Sequence, residues 1–416
     1  MDILVVGGGG REHAIIWALR KSARVGRIYA APGNGGIEAA DCVDISATDI
    51  EKMVEFALAH SIDFVVVAPD DPLALGMVDA MEAAGIRAFG PRKNAAIIES
   101  SKIFSKNLMK KYGIPTAKYE VFSDMDAALA GVRSEGAPIV IKADGLALGK
   151  GVVVADSLEM AEDAIRSMME DRKFGDSGSR IVIEECMTGP EVTVLAFTDG
   201  ETIMPMLPSQ DHKRAYDGDK GPNTGGMGAF CPSPKYTQEI AKTCMDTIFA
   251  PTISAMKAEG RTFKGVIYFG LMLTPDGPKV VEYNARFGDP ETQAILPLLD
   301  TELLDIFEAV VDGKLHEMDI CWKDGAACCV VMASGGYPVA YDKGFEISGL
   351  NTSEPNVTVF HAGTAHINGK YLTNGGRVLG VTGMGKNLDE AVKNAYTGAH
   401  RIHFKDAHYR TDIGKN

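Results

Sequence analysis

No stretch of this chain approaches the roughly 20 apolar residues that a membrane-spanning helix requires, and its seven cysteines include no Cys-x-x-Cys pair. The first absence argues against a membrane protein. The second argues against a zinc site or a disulfide framework, and the adjacent Cys328 and Cys329 inside an apolar run suit buried thiols in a reducing compartment. Positive charge is also short: 42 basic against 56 acidic residues give a formal net charge of -14 and a pI near 5.2. Such a field repels nucleic acid and anionic lipid. Small-molecule partners are therefore expected, with local basic sites for any anions. Met1-Asp2 leads through Ile3–Val6 straight into glycines, without the basic stretch, apolar stretch and cleavage site of a secretory signal. A cytoplasmic protein without nucleic-acid or membrane partners is the expectation.

The 416 residues exceed one ordinary core and suggest two to four domains. Strand-like Ile3–Val6, Ile28–Ala30 and Phe64–Val67 alternate with helical stretches from Glu12 and over Ile50–His60, the rhythm of parallel β-α-β units. A boundary follows Gly90-Pro91, and a helix from about Ser100 should stop at Gly113. Strands are expected over 139–143 and 151–155, a helix over 158–169, and a pair of strands, 180–185 and 191–196, around Thr188-Gly189-Pro190. The polar segment 209–229 has no apolar period and reads as a functional loop without packed elements. A helix over 238–259 precedes a hairpin of 265–273 and 279–283 around Pro275-Asp276-Gly277. The remainder, from about Ala326, reads as strand-rich, closing with a helix over 388–400.

Gly7-Gly8-Gly9-Gly10, between a strand and a helix, would let backbone N–H groups approach a phosphate. A dinucleotide fingerprint fails, because its third glycine position is Glu12 or His13 and the second strand ends without an acidic residue. Tight-turn packing without a ligand is the plain alternative.

Lys142-Ala143-Asp144-Gly145-Leu146-Ala147-Leu148-Gly149-Lys150-Gly151 lies between two strands. It is not a Walker A loop, since Gly151 replaces the hydroxyl residue and a strand follows. It reads as a glycine hairpin that folds over polyphosphate, with Lys142 as a point charge; a solvated surface hairpin is the alternative. Glu282, Asn284 and Arg286 alternate with Val281, Tyr283 and Ala285 and so share one face of an extended strand. A carboxylate and an amide oxygen two residues apart suit Mg²⁺, and Arg286 would offer its planar fork to a carboxylate.

The glycine hairpin, Glu184-Glu185-Cys186-Met187 with Glu191, and the E-x-N-x-R strand resemble the ATP-grasp superfamily. Within it, Pro32-Gly33-Asn34-Gly35-Gly36, Gln210-Asp211-His212-Lys213-Arg214, the run from Gly221 to Ala229, and Asn284-Ala285-Arg286-Phe287-Gly288-Asp289-Pro290-Glu291-Thr292-Gln293 resemble the phosphoribosylamine-glycine ligase family over essentially the whole chain. The resemblance implies an α/β fold: an N-terminal parallel-sheet domain over 1–103, a central ATP-grasp domain over 104–120 and 188–325, an ATP-lid subdomain over 121–187, and a strand-rich C-terminal domain over 326–416. It implies a monomeric enzyme using ATP with Mg²⁺ or Mn²⁺ to join glycine to 5-phosphoribosylamine. Lys102, Lys142, Gly149, Lys150 and Gly151 would meet ATP phosphates, Glu184 and the backbone from Glu185 to Met187 the adenine, and Glu191 the ribose. Glu282 and Asn284 would bind the metal. Asp211, Lys213 and Arg286 would hold glycine and its acyl phosphate, with Lys142 assisting the transfer; Gly9, Gly10, Asp70 and Arg377 would hold the sugar phosphate. Asp70-Asp71 departs from the family's usual Glu-Ala.

Overall fold

The computed structural model describes residues 1–146, 151–170, 178–350 and 354–415. Five parallel strands open the chain, in the spatial order Asp41–Cys42, Ile28–Pro32, Ile3–Gly7, Phe64–Val67, Arg87–Phe89. Ile3–Gly7 and Phe64–Val67 are buried along their whole length, as continuous aliphatic runs in a doubly covered parallel sheet should be. The strand order turns back between these two, and ligands bind at such a switch point in open α/β sheets. Gly7–Gly9 leaves one carboxyl end and Pro69-Asp70 the other.

The expected helix ending at Gly113 spans Lys102–Tyr112 and stops there with Gly113 left-handed. Ser101 separates it from a second helix, Lys93–Ser100, and its hydroxyl accepts the N–H of Phe104 at 3.1 Å. A four-stranded antiparallel sheet follows, ordered Tyr119–Phe122, Ile181–Glu185, Ile139–Ala143, Val152–Ala155. Helices Met125–Glu135 and Leu158–Met169 pack on it around Leu129, Ile141 and Ile165.

The two strands flanking Thr188-Gly189-Pro190 do not pair with each other. Ile181–Glu185 stays in the sheet just described, whereas Glu191–Thr198 enters another, ordered Ile203–Pro205, Glu191–Thr198, Gly265–Thr274, Gly277–Asn284. The turn is fastened to that second sheet: Leu273 N–H donates to Pro190 O at 2.9 Å, and a Cβ on Gly189 would lie 2.2 Å from Leu273 O. The hairpin expected from 265–273 and 279–283 is present as Gly265–Thr274 and Gly277–Asn284, with a bulge beside Gly270.

Segment 209–229 is also more ordered than a loop. Gln210–Asp211 pairs with Gly228–Cys231, which joins a five-stranded antiparallel sheet continuing through Ala326–Ala333, Arg377–Gly385 and Val357–His361. Arg214–Tyr216 and Lys220–Asn223 form a separate ribbon. Tertiary contacts hold this ribbon without an apolar stripe: the fully buried Arg410 donates to Arg214 O at 3.1 Å and meets Asp219 at 2.8 Å and Asp412 at 2.7 Å. Helix Leu388–Ala399 closes the C-terminal sheet. No helix among the described residues is long and apolar enough to cross a membrane.

Candidate active site

Glu282 and Asn284 on the outgoing strand of the hairpin, and Arg286 two residues past its end, are half-buried while Tyr283 and Ala285 between them are buried, as expected; Val281, expected on the buried side, is half-buried. Arg286 Nη1 donates to Phe287 O at 3.0 Å, and Nη2 lies 3.4 Å from Asn284 Oδ1 and 3.2 Å from Glu99 Oε1. Glu99 also accepts the N–H of Ala285 at 2.7 Å. Burial pushes its carboxyl up to about 7 against the pull of Arg286. Nothing in the pattern around Glu99, near the end of a short helix, marks it in the sequence.

Lys213 reaches the same face from the 209–229 segment, 3.1 Å from Glu191 and 3.6 Å from Glu282. Burial would lower its pKa, but Glu191, Asp211 and Glu282 overcome this and raise it well above the usual lysine value. Burial likewise raises Glu282, yet Lys213, Lys142, Lys102 and Arg286 prevail and hold it below the usual carboxylate range. Asp211 is pushed up to about 7 by burial, against Lys213. Its neighbour His212 packs inward, held neutral mainly by burial, with ring Nδ1 unpartnered among the described residues.

Lys102 and Lys142 approach from the other side. Lys102 Nζ donates to Gly145 O at 2.9 Å, and burial lowers its pKa. Lys142, buried, donates to Val281 O at 2.9 Å and lies 3.0 Å from Glu184 Oε2. Lys106, which the sequence reading did not single out, lies 3.1 Å from the same oxygen. Glu185 Oε1 accepts the N–H of Lys118 at 3.0 Å, Met187 is half-buried and Glu191 is exposed. Gly151 is buried where its strand begins, its carbonyl accepting Ala143 N–H at 2.8 Å; Gly149 and Lys150 lie outside the described residues.

The switch point forms a cavity of about 460 Å³ lined by Gly7–Gly9, Arg11, Asn34, Asp289, Gly363 and Asn374 among others. Gly8 is needed for closure, since a Cβ there would lie 2.2 Å from Gly33 O. At the first helix, Gly9 N–H donates to Glu12 Oε2 at 2.6 Å and Arg11 pairs with Glu12 at 2.6 Å. Gly10 is buried against Gln293, and Asp70 stands half-buried at the start of its own helix. Arg377 Nη1 donates to Gly225 O at 2.6 Å and Asp289 O at 2.7 Å, tying the C-terminal sheet to the turn after Arg286.

The phosphoribosylglycinamide synthetase family models match in order: the N domain over 1–99, the ATP-grasp (A) domain over 100–292 and the C domain over 327–416. The chain belongs to the phosphoribosylglycinamide synthetase family. It is 48% identical over 414 residues to the phosphoribosylamine–glycine ligase of Caldanaerobacter subterraneus subsp. tengcongensis, with 99% of each chain covered. It is also 48% identical to the trifunctional purine biosynthetic protein adenosine-3 of Gallus gallus, covering 99% of this chain and 42% of that one. Among solved structures, phosphoribosylamine–glycine ligase from Thermotoga maritima superposes with a TM-score of 0.86 at 34% identity, covering 99% of this chain and 100% of that one. Biotin carboxylase from Campylobacter jejuni, at 13% identity and a TM-score of 0.77, covers 99% of this chain and 94% of that one and shares the fold. The fold is thus an ATP-grasp core with a parallel-sheet domain before it and a strand-rich domain after it.

Proposed function

We propose that this chain is an ATP-dependent carbon–nitrogen ligase that joins glycine to 5-phosphoribosylamine in de novo purine biosynthesis, giving glycinamide ribonucleotide, ADP and phosphate. The observation that carries the reading is the half-buried face of Glu282, Asn284 and Arg286, gripped by Glu99 and faced by Lys213. The full-length likeness to the named ligases supports it.

Glycine's carboxylate has no leaving group that an amine can displace. Transfer of the ATP γ-phosphoryl to one of its oxygens breaks the β,γ-anhydride, releases ADP and makes glycyl phosphate. The amine of phosphoribosylamine then attacks the acyl carbon, the C–O bond to phosphate breaks, and the amine loses a proton. The protein contributes position and charge. Arg286 and the segment carrying Asp211 and Lys213 hold glycine and its acyl phosphate. Lys102, Lys142 and the hairpin ending at Gly151, with Gly149 and Lys150, take the ATP phosphates. Glu184 and the backbone from Glu185 to Met187 take the adenine, and Glu191 the ribose. Gly9, which lines the switch-point cavity, would hold the sugar phosphate together with Gly10, Asp70 and Arg377, which stand outside its lining.

The Glu282 carboxylate and the Asn284 amide oxygen fit a divalent cation. Both are hard donors, and Glu282 is 32% exposed at its side chain. Phosphate oxygens and water would complete the shell. Mg²⁺, or Mn²⁺ in its place, would offset phosphate charge during transfer. Free thiols and the acidic surface suit a cytoplasmic monomer. The test is ADP release with each substrate omitted in turn. Release should require both glycine and phosphoribosylamine; steady release at an undiminished rate without either one would overturn the assignment.

A further inference from the structure

Lys106 is a buried cation, beside the nucleotide residues, to which the reaction assigns no role. It is 2% exposed, on the helix Lys102–Tyr112. Its ammonium lies 3.1 Å from Glu184 Oε2 and donates to Thr116 Oγ1 at 2.8 Å, while the ring of Tyr119 stands 5.7 Å away. Thr116 Oγ1 in turn donates to Val280 O at 2.7 Å, so Lys106 is anchored to the strand that carries Glu282. Lys142 approaches the same carboxylate oxygen at 3.0 Å.

Two ammonium groups thus converge on Oε2 of Glu184. The other oxygen, Oε1, is buried and has no hydrogen-bond partner among the described residues. A buried carboxylate oxygen without a donor is costly and calls for a specific reason in a native fold. Both flanking lysines are already directed elsewhere, so the missing donor is one that a ligand brings. The 6-amino group of adenine is such a donor. The 6-oxo group of guanine is an acceptor and would set oxygen against oxygen.

We propose that Lys106 is a positioning residue that sets the base preference of the nucleotide site, fixing the Glu184 carboxylate so that one oxygen is engaged and the other faces the amino group of the base. The inference rests on the reading that Glu184 meets the base. Its role is separable from folding, because it concerns only the part of nucleotide affinity that the amino group supplies.

The test compares ATP with purine riboside 5′-triphosphate, which lacks the amino group, as phosphoryl donors for the full chain with glycine and phosphoribosylamine saturating. In the wild type, KM should be lower for ATP by roughly ten- to a hundredfold, as for a hydrogen bond to a charged group. Lys106→Met should raise KM for ATP by about that factor, leave KM for the analogue unchanged and keep kcat for both. Thr116→Val, which keeps the shape and removes the anchor, should shift the preference the same way by less, and it decides the matter if Lys106→Met does not fold. An equal rise in both KM values, or an undiminished preference for ATP in the folded variants, overturns the role of Lys106 and leaves the base reading of Glu184 standing. A wild type that does not distinguish the two nucleotides overturns both.

Discussion

Glu99 holds Arg286 with one carboxylate oxygen at 3.2 Å and the N–H of Ala285 with the other at 2.7 Å. A helix of the N-terminal region therefore fixes the end of the strand on which the proposed metal and acceptor groups stand. Truncating Glu99→Ala leaves the half-buried Arg286 guanidinium without its partner and the N–H of Ala285 without its acceptor. That should destabilise the protein by about 1–3 kcal/mol, whereas Glu99→Gln keeps an acceptor for Ala285 and should cost less. Chemical denaturation of the two variants checks the order, and equal losses would show that the charge contributes nothing.

Glu282→Gln should leave the fold intact, because the side chain is 32% exposed and its main partner, Lys213, has Glu191 at 3.1 Å as well. Turnover should fall by at least about a hundredfold, the scale on which active-site charge acts, and excess Mg²⁺ should not restore it. Near-normal turnover in a folded variant removes Glu282 from the metal site.

Arg377→Ala removes donors to Gly225 O and to the carbonyl of Asp289, a residue that lines the switch-point cavity. Losing a charge-assisted contact costs roughly 1.5–3 kcal/mol, or about ten- to a hundredfold. The effect should appear as a higher KM for phosphoribosylamine, with those for ATP and glycine unchanged. If all three rise together, Arg377 is a structural tie alone.

Much of this arrangement is legible in the sequence, for a reason particular to strands. The period-two spacing of Glu282, Asn284 and Arg286 dictates a shared face, and the glycines after Val6 mark a strand end that must admit close neighbours. Glu99 and Lys106 are illegible for the opposite reason. Each sits singly on a helix, and its function lies in a partner far along the chain, 186 residues away for Glu99 and Ala285. The parting of 181–185 from 191–198 was hidden because a turn with Gly and Pro reads alike whether its strands pair or enter different sheets. The order within 209–229 was hidden because its hold comes from Arg410, near the other end of the molecule's sequence.

His13 and His361 join the first helix to the C-terminal sheet: His13 Nδ1 accepts the N–H of His361 at 2.9 Å. Burial, with His361 adding to it, lowers the pKa of His13 to about 3, and burial lowers that of His361 to about 4. Both are neutral in the folded protein at pH 7, while the unfolded chain takes up protons below about 6.5. The contribution of this pair should therefore be fully present above pH 6.5 and be lost as the pH drops toward 4, His13 alone accounting for on the order of 2 kcal/mol at pH 5, while the raised carboxyls of Glu99 and Asp211 act in the opposite direction. His13→Asn, which keeps an acceptor but does not titrate, should gain stability at pH 5 relative to pH 7.5 when its denaturation curves are compared with those of the unsubstituted protein. An unchanged slope would place the pH dependence elsewhere.

On the proposed mechanism, ATP activates the carboxylate of glycine on the face formed by Glu282, Asn284 and Arg286. Glycine labelled with ¹⁸O in both carboxylate oxygens reports on that step, because the acyl-phosphate route sends one of those oxygens into inorganic phosphate and keeps the other in the amide. Mass spectrometry of the released phosphate should show one ¹⁸O per phosphate, matched one to one with glycinamide ribonucleotide formed. Unlabelled phosphate alongside normal amide formation would mean that ATP activates some other group, and glycyl phosphate would not be the intermediate.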